Sequence, residues 1–278
     1  MYNFYYGSRN DIKKNLKDYL LGIKRTLPRW ANPLPDSQYL ALYDLLEKKN
    51  LGPNSVIVET GIGASTIMFL HFAMISGGRL LSWDINSSKA SFIRSVTADT
   101  LEQYHRRAIS VHWTFVSSSS LSPYTGLAIL DEFVDHIDFT HHDSDHTWQT
   151  VGGEVAAVTP FIRDNGVICV DDANQTYLHS YEPIINVTRR KLGLDPIDPI
   201  GGNQTIPHYE AVPTFLRSQF SEVADVGERY RAEIARDPYY SWYRVDRRNM
   251  TEVGMERFED FSARFGAWRV SGSKLTNK

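Results

Sequence analysis

The sequence predicts an α/β fold built on a mostly parallel sheet with helices on both faces. Three observations lead there. Short, β-branched apolar runs alternate with helical stretches between Ser55 and Asp172. The first run ends in a glycine turn that opens a helix. Acidic residues recur at the carboxyl ends of the runs, at Asp84, Asp143, Asp171 and Asp172. Strands spaced by helices pair in parallel, because a parallel neighbour needs a crossover long enough to hold a helix.

Taken in order, Asp11 to Leu21 reads as a short helix, and WANPLPD breaks it with prolines. Asp36 is placed to cap a second helix, SQYLALYDLLEKKN, whose Tyr39, Leu42, Tyr43 and Leu46 recur at helical spacing. Residues 1–50 are expected to be helical and peripheral. Gly52-Pro53-Asn54 ends this part. VIVET is then a strand buried on both faces, STIMFLHFAMI a helix, GRLLSWD the second strand and SSKASFIRSVTADTLEQYH the second core helix. ISVHWTFV and VDHIDFTHHD are strands three and four. TWQTVGGEVAAVTPFI is a helix in which Gly152 and Gly153 each cost roughly 1 kcal/mol relative to alanine. GVICVDD is strand five.

Beyond Asp172 the pattern weakens. SYEPIINVTRRKLG reads as a helix and residues 193–210 as a long Pro- and Gly-rich loop, a length usually given to lids. A helix around VPTFLRSQ, strand candidates SEVADVG and YYSWYRVD, and an amphipathic tail ending at Gly266 complete the chain. The expected organisation is a helical extension over 1–50, a catalytic domain over 51–250 and a C-terminal helix and tail over 251–278, all in one structural domain.

Composition narrows the function. The chain has 278 residues, 30 Lys plus Arg against 33 Asp plus Glu, and a net charge of −3, which argues against a general nucleic-acid binder. The single cysteine, Cys169, excludes an internal disulfide and a cysteine-built zinc site. No apolar run approaches the ~20 residues of a membrane helix, and MYNFYYGSRNDIKKN lacks the apolar core of a signal peptide. The expectation is a soluble, reduced, cytoplasmic protein with no nucleic-acid or membrane partner.

The glycine turn, Val56-Ile-Val-Glu-Thr-Gly-Ile-Gly-Ala-Ser-Thr66, stands between a strand and a helix. Gly61 and Gly63 let the backbone turn tightly, and the helix opening near Ser65 offers free N–H groups to a ligand. The dinucleotide fingerprint requires a third glycine where Thr66 stands, which disfavours NAD. Glu59 ends the first strand and Asp84 ends the second, near the spacing at which an acid reaches ribose hydroxyls. Helix capping is the competing role for Asp84; with the loop and Glu59, a nucleoside ligand is the better reading.

The richest segment is Asp138-Phe-Thr-His-His-Asp-Ser-Asp-His146, followed by Asp171-Asp172-Ala-Asn174 after the fifth strand. If strands one, four and five are neighbours, both acidic ends border one cleft. Carboxylates converging there repel unless a cation neutralises them, and oxygen donors favour Mg²⁺, Mn²⁺ or Ca²⁺ over zinc. A second reading takes His141, His142 or His146 with Asp143 as a two-histidine, one-carboxylate iron site of a hydroxylase. Adjacent His141 and His142, however, point to opposite sides of an extended strand.

VIVETGIGASTIMFL followed by LLSWD resembles the class I S-adenosylmethionine-dependent methyltransferases, whose first motif reads acidic-x-Gly-x-Gly. The resemblance implies a Rossmann-like sandwich with a mostly parallel seven-stranded sheet. It also implies a cofactor site made by Glu59, Gly61, Gly63, Ser65 and Asp84, with Ser118 or Ser119 near the adenine. HHDSDHTW and NGVICVDDAN are similar to the metal-dependent O-methyltransferases, both the catechol and caffeoyl-CoA enzymes and a bacterial sugar and natural-product branch. That likeness implies a metal held by Asp143, Asp171 and Asp172, with His146 where those enzymes have a lysine that helps deprotonate the acceptor. The sequence departs from the branch pattern at His142 and Ser144.

The expected activity is therefore an Mg²⁺-dependent O-methylation of a sugar or another vicinal diol, with Asp143 and His146 at the reacting oxygen. A non-catalytic nucleoside-binding subunit is the third reading. The acceptor is expected to be a small molecule or saccharide. His208, Tyr209, Tyr239, Tyr240 and Trp242 are candidate stacking residues, and the apolar stripe of the tail is a candidate contact between copies of the chain.

Overall fold

The computed structural model describes residues 16–171 except 33, 35, 103, 104, 106, 146 and 147, together with 193, 215–223 and 266–269. The chain enters through two helices, α1 (Leu16–Thr26) and α2 (Asp36–Lys49). It then alternates: β1 (Val56–Thr60), α3 (Ala64–Ser76), β2 (Arg79–Asp84), α4 (Ser87–Thr97), β3 (Trp113–Ser117), β4 (Ile137–His142), α5 (Trp148–Val158) and β5 (Ile162–Val170). Two short strands follow, β6 (Ser221–Glu222) and β7 (Gly266–Arg269). The sheet order is β3-β2-β1-β4-β5-β7-β6. The five strands expected from the sequence run parallel. β7 and β6 add an antiparallel margin beyond β5.

The order reverses between β1 and β4, since β1 is followed outward on one side by β2 and β3 and on the other by β4 and β5. Ligands in open parallel sheets bind outside the carboxyl ends of the strands at such a reversal.

Burial explains why the central elements are so apolar. All five residues of β1 are buried, as expected of a central strand with helices on both faces. α3 is buried from Ala64 to Met74 and ends at Gly77, whose φ of 81° forms a left-handed cap. The sheet separates two cores. On one face Phe69, Leu80, Ile93 and Phe139 pack with Leu20 and Leu42 of α1 and α2. On the other, Val58, Trp83, Ile168 and Val170 pack with Val151 and Val155 of α5.

Several boundaries differ from expectation. α1 extends to Thr26, past Leu21. The N-terminal helices are not peripheral: Leu20, Leu42 and Leu46 have no exposed surface. Asp36 opens α2, but its carboxylate takes Lys24 at 2.6 Å and Arg25 at 2.8 Å, so it ties α1 to α2 instead of capping. α4 stops at Thr97 and continues as a wide π turn over Ala98–Glu102. Ile109–Val111 forms a 3₁₀ turn, so β3 begins only at Trp113. β5 starts early, at Ile162, with a shift of register between Ile137 and Phe139 and a left-handed Asn165 (φ 62°). The glycine pair lies within α5, as expected. β7 was not foreseen, because four residues with one β-branched or aromatic side chain carry little strand signal. The expected helix 180–193 (Gly193 apart), the strand candidate YYSWYRVD and the amphipathic stretch before Gly266 lie outside the described residues.

Candidate functional site

Strand register assembles the site. Thr60 pairs with Trp83 on one side and His142 on the other, and His142 pairs with Val170. The residues that follow these four, Gly61, Asp84, Asp143 and Asp171, therefore form one row across the carboxyl edge of the sheet. Adjacent strands bring such backbones to about 4.8 Å. Hydrogen bonds carry the ladder one step further. The Gly61 N–H donates to Trp83 O, that of Asp143 to Thr60 O and that of Asp171 to His142 O, each at 2.9 Å. By alternation, Glu59, Asp84, Asp143 and Asp171 belong to the face covered by α1–α4, and Thr60 and His142 to the α5 face.

Gly61 sits at the reversal itself. Its φ is +80°, and a Cβ there would stand 1.8 Å from the carbonyl oxygen of Asp143. Only glycine lets the β1 and β4 loops meet this closely. Gly63 is extended, and its N–H donates to the Thr66 hydroxyl at 2.9 Å, closing the first turn of α3. Ser65 is buried in that turn. A Cβ on Gly63 would come within 3.3 Å of Ala31 O, in the 3₁₀ turn Arg29–Ala31 ahead of α2, so the N-terminal segment walls one side of the loop.

Asp84 holds the glycine loop directly. Its Oδ2 accepts the Ile62 N–H at 2.9 Å and its Oδ1 the Asn86 N–H at 2.7 Å. It thus braces the loop, while the cap of α4 is Asn86, whose side chain accepts the Lys89 N–H at 2.9 Å; each Asp84 oxygen keeps a further lone pair for a ligand hydroxyl. Lys89 Nζ lies 4.0 Å from Oδ2.

Glu59 has no exposed surface. Its Oε1 accepts the Ser82 hydroxyl at 2.7 Å, and Ser82 Oγ accepts the Trp113 indole N–H at 2.8 Å. Oε2 has no hydrogen-bond partner among the described residues. Burial pushes the Glu59 carboxyl up to about 8, against the pull of the Ser82 and Thr66 hydroxyls. A buried carboxyl with a spare oxygen beside a glycine loop is suited to a cationic ligand group.

Asp171 is 7% exposed, and its Oδ1 accepts the Gln38 amide at 3.2 Å. Gln38 comes from α2, 133 residues away in sequence, and nothing in the sequence signals it. Asp143 and Asp171 offer the hard oxygen donors that suit Mg²⁺, Mn²⁺ or Ca²⁺, and Gln38 fixes the orientation of one of them. Among the described residues no group of three His, Cys, Asp or Glu side chains is placed to hold a metal. Asp172 and His146 lie outside the described residues, as do His208, Tyr209, Tyr239, Tyr240 and Trp242.

His141 and His142 diverge as alternation requires. The His141 ring packs against Phe69 of α3 at 5.4 Å, while His142 Nδ1 lies 3.3 Å from Glu154 of α5. A metal site using both is excluded, because their side chains lie on opposite faces of the sheet. Ser118 stands one residue past β3, its hydroxyl bonded to Thr125 Oγ1 at 2.6 Å.

Residues 58–173 match the family model described as a methyltransferase domain. The likeness covers the strands β1 (from Val58), β2, β3, β4 and β5 and stops just past β5. Every candidate cofactor and metal residue lies inside it, whereas Gln38 and the Arg29–Ala31 turn belong to the segment ahead of it. Curated protein sequences give no match. Solved structures similar to the chain include a SAM-dependent methyltransferase from Geobacter sulfurreducens with S-adenosyl-L-homocysteine, at 15% identity over 90% of this chain and 96% of that one, TM-score 0.46. Another is an O-methyltransferase from Bacillus cereus, at 16% identity over 77% and 88%, TM-score 0.45. A third is the O-methyltransferase TomG from Streptomyces achromogenes, at 15% identity over 74% and 79%, TM-score 0.47. No helix among the described residues is long and apolar enough to cross a membrane.

Proposed function

We propose that the protein is an S-adenosylmethionine-dependent O-methyltransferase that methylates a hydroxyl of a sugar or another vicinal diol with the help of a divalent cation. The observation that supports this reading most is the row Asp84, Gly61, Asp143, Asp171 at the reversal of the sheet, with the under-bonded Glu59 beneath it.

In this reading Glu59 Oε2 takes the amino group of the cofactor's methionine part, the cationic N–H donor that a sulfonium nucleoside offers a buried carboxylate. The open N–H groups at the start of α3, by Ser65, face its carboxylate. Asp84, already fixed by the Ile62 and Asn86 amides, accepts the ribose hydroxyls, and the loop at Ser118 borders the adenine. Asp143, Asp171 and Asp172 would hold Mg²⁺ (Mn²⁺ or Ca²⁺ being the alternatives), and that ion would supply charge to lower the pKa of an acceptor hydroxyl. An acceptor on the β4–β5 side of the row would lie next to these carboxylates, and His146 would accept its proton near neutral pH.

Calorimetric titration of S-adenosylhomocysteine, first with Mg²⁺ and then with chelator, tests the reading. Micromolar binding in both supports it, because the metal belongs to the acceptor. No binding in either defeats it. Asp143→Ala is expected to abolish turnover of a diol acceptor while cofactor affinity stays within about twofold. Equal turnover in Mg²⁺ and in chelator removes the metal from the mechanism.

A further inference from the structure

The α5 face of the sheet carries a second buried carboxylate that the proposed reaction does not use. Glu154 has no exposed surface, and four side chains from three segments converge on it. Thr60, at the end of β1, donates to Oε2 at 2.8 Å. His142, at the end of β4, places Nδ1 3.3 Å from the same oxygen. Ser144, in the loop after β4, donates to Oε1 at 2.7 Å. Ser120, in the loop after β3, donates to that oxygen as well. Burial alone would push the carboxyl up, but His142, Ser120 and Ser144 outweigh it and hold the group below its ordinary value. The neighbouring residue is Gly153, where a Cβ would stand 2.9 Å from the Leu121 side chain, so α5 lies close against the β3 loop.

One carboxylate thus joins two loops that meet nowhere in the sequence. The loop after β3 carries Ser118, on the cofactor side of the row. The loop after β4 opens with Asp143, on the acceptor side. Loops hung on a rigid sheet are held in catalytic register only by such cross-links, and misplacement of about 1 Å between reacting groups can cost on the order of a hundredfold in rate. We propose that Glu154 is a positioning residue that sets the spacing between the cofactor-side loop 118–122 and the acceptor-side loop 143–145. What the two loops bind rests on the methyltransferase reading; the cross-link itself is testable without it.

Amide hydrogen exchange on the ligand-free protein reads the cross-link at two bonded amides, Ser122 (to Ser119 O, 3.0 Å) and Asp143 (to Thr60 O, 2.9 Å). Ser120→Ala is expected to speed exchange at Asp143, and Ser144→Ala to speed it at Ser122, each severalfold. In an E154Q background both cross-loop effects should vanish. In the same protein, E154Q should weaken S-adenosylhomocysteine binding about tenfold or more, with Glu154→Asp, which keeps the charge, within about threefold of native. Exchange changes confined to the mutated loop, or E154Q binding within twofold of native, overturn the inference. Native protein that shows the cross-loop exchange but binds no S-adenosylhomocysteine leaves the link standing and removes the methyltransferase reading.

Discussion

Two glutamates lie at the same depth on opposite faces of one sheet, and they differ in every other respect. Glu59 and Glu154 both have no exposed surface. Glu59 accepts the Ser82 hydroxyl on Oε1 and feels the Thr66 hydroxyl nearby, while Oε2 has no hydrogen-bond partner among the described residues. Glu154 holds three hydroxyls and a histidine. Burial pushes both carboxyls up; the donors reverse the direction at Glu154 and fail to do so at Glu59, which reaches about 8. Burial therefore does not distinguish a structural carboxylate from a binding one. The donor count does, because an unmatched buried acceptor carries a desolvation cost that a ligand can relieve.

The harshest way to break this comparison is at the hinge between the faces. Gly61→Ala forces a left-handed backbone on alanine and drives its Cβ into the Asp143 carbonyl. Strain and overpacking together are worth roughly 2–5 kcal/mol. The expected outcome is a fall in Tm of roughly 5–15 °C, with loss of S-adenosylhomocysteine binding. Unchanged melting would show that the loop relaxes freely.

Glu59→Gln comes next. It keeps the shape and removes the charge that a cationic group would meet, a hydrogen bond worth about 1.5–3 kcal/mol. Calorimetry should show S-adenosylhomocysteine binding about ten- to a hundredfold weaker. An unchanged affinity would place the amino group elsewhere.

The raised carboxyl also has a sign that stability measurements can read. The folded pKa of about 8 lies above the ordinary 4.5, so between these values the folded state holds a proton that the unfolded chain has lost. Stability contributed by Glu59 is complete below about 4.5, falls as pH rises through about 8, and is level above. Glu59→Gln should flatten that slope in urea unfolding series. For the same reason, cofactor binding near pH 7 is expected to release close to one proton, measured by calorimetry in buffers of different ionisation enthalpy.

The smallest effect is expected at Gly153→Ala. The helix gains about 1 kcal/mol of propensity, and the Leu121 side chain, 42% exposed, has room to swing away from the new methyl. A loss of about 1 kcal/mol or more in urea unfolding would mean that Leu121 is held more firmly than its exposure implies.

Much of the site was legible in the sequence because it lies on consecutive strand ends. Alternation and strand length alone separate His141 from His142 and set Glu59 two residues before Gly61. The same alternation marks Ser82 as a polar residue in a buried strand, a signal that could have found the partner of Glu59. The sequence by itself thus determined the parallel strands, the glycine turn and the acids at the strand ends, since period, turn chemistry and spacing are local properties. Only the tertiary structure decided which acids share an edge, because the order β2-β1-β4-β5 follows from crossovers that no local pattern specifies. It alone also decided which acids are satisfied: Gln38 reaches Asp171 from α2, and Ser120 reaches Glu154 from the β3 loop. A carboxylate's charge state depends on the donors brought to it through space, and those donors lie far away along the chain.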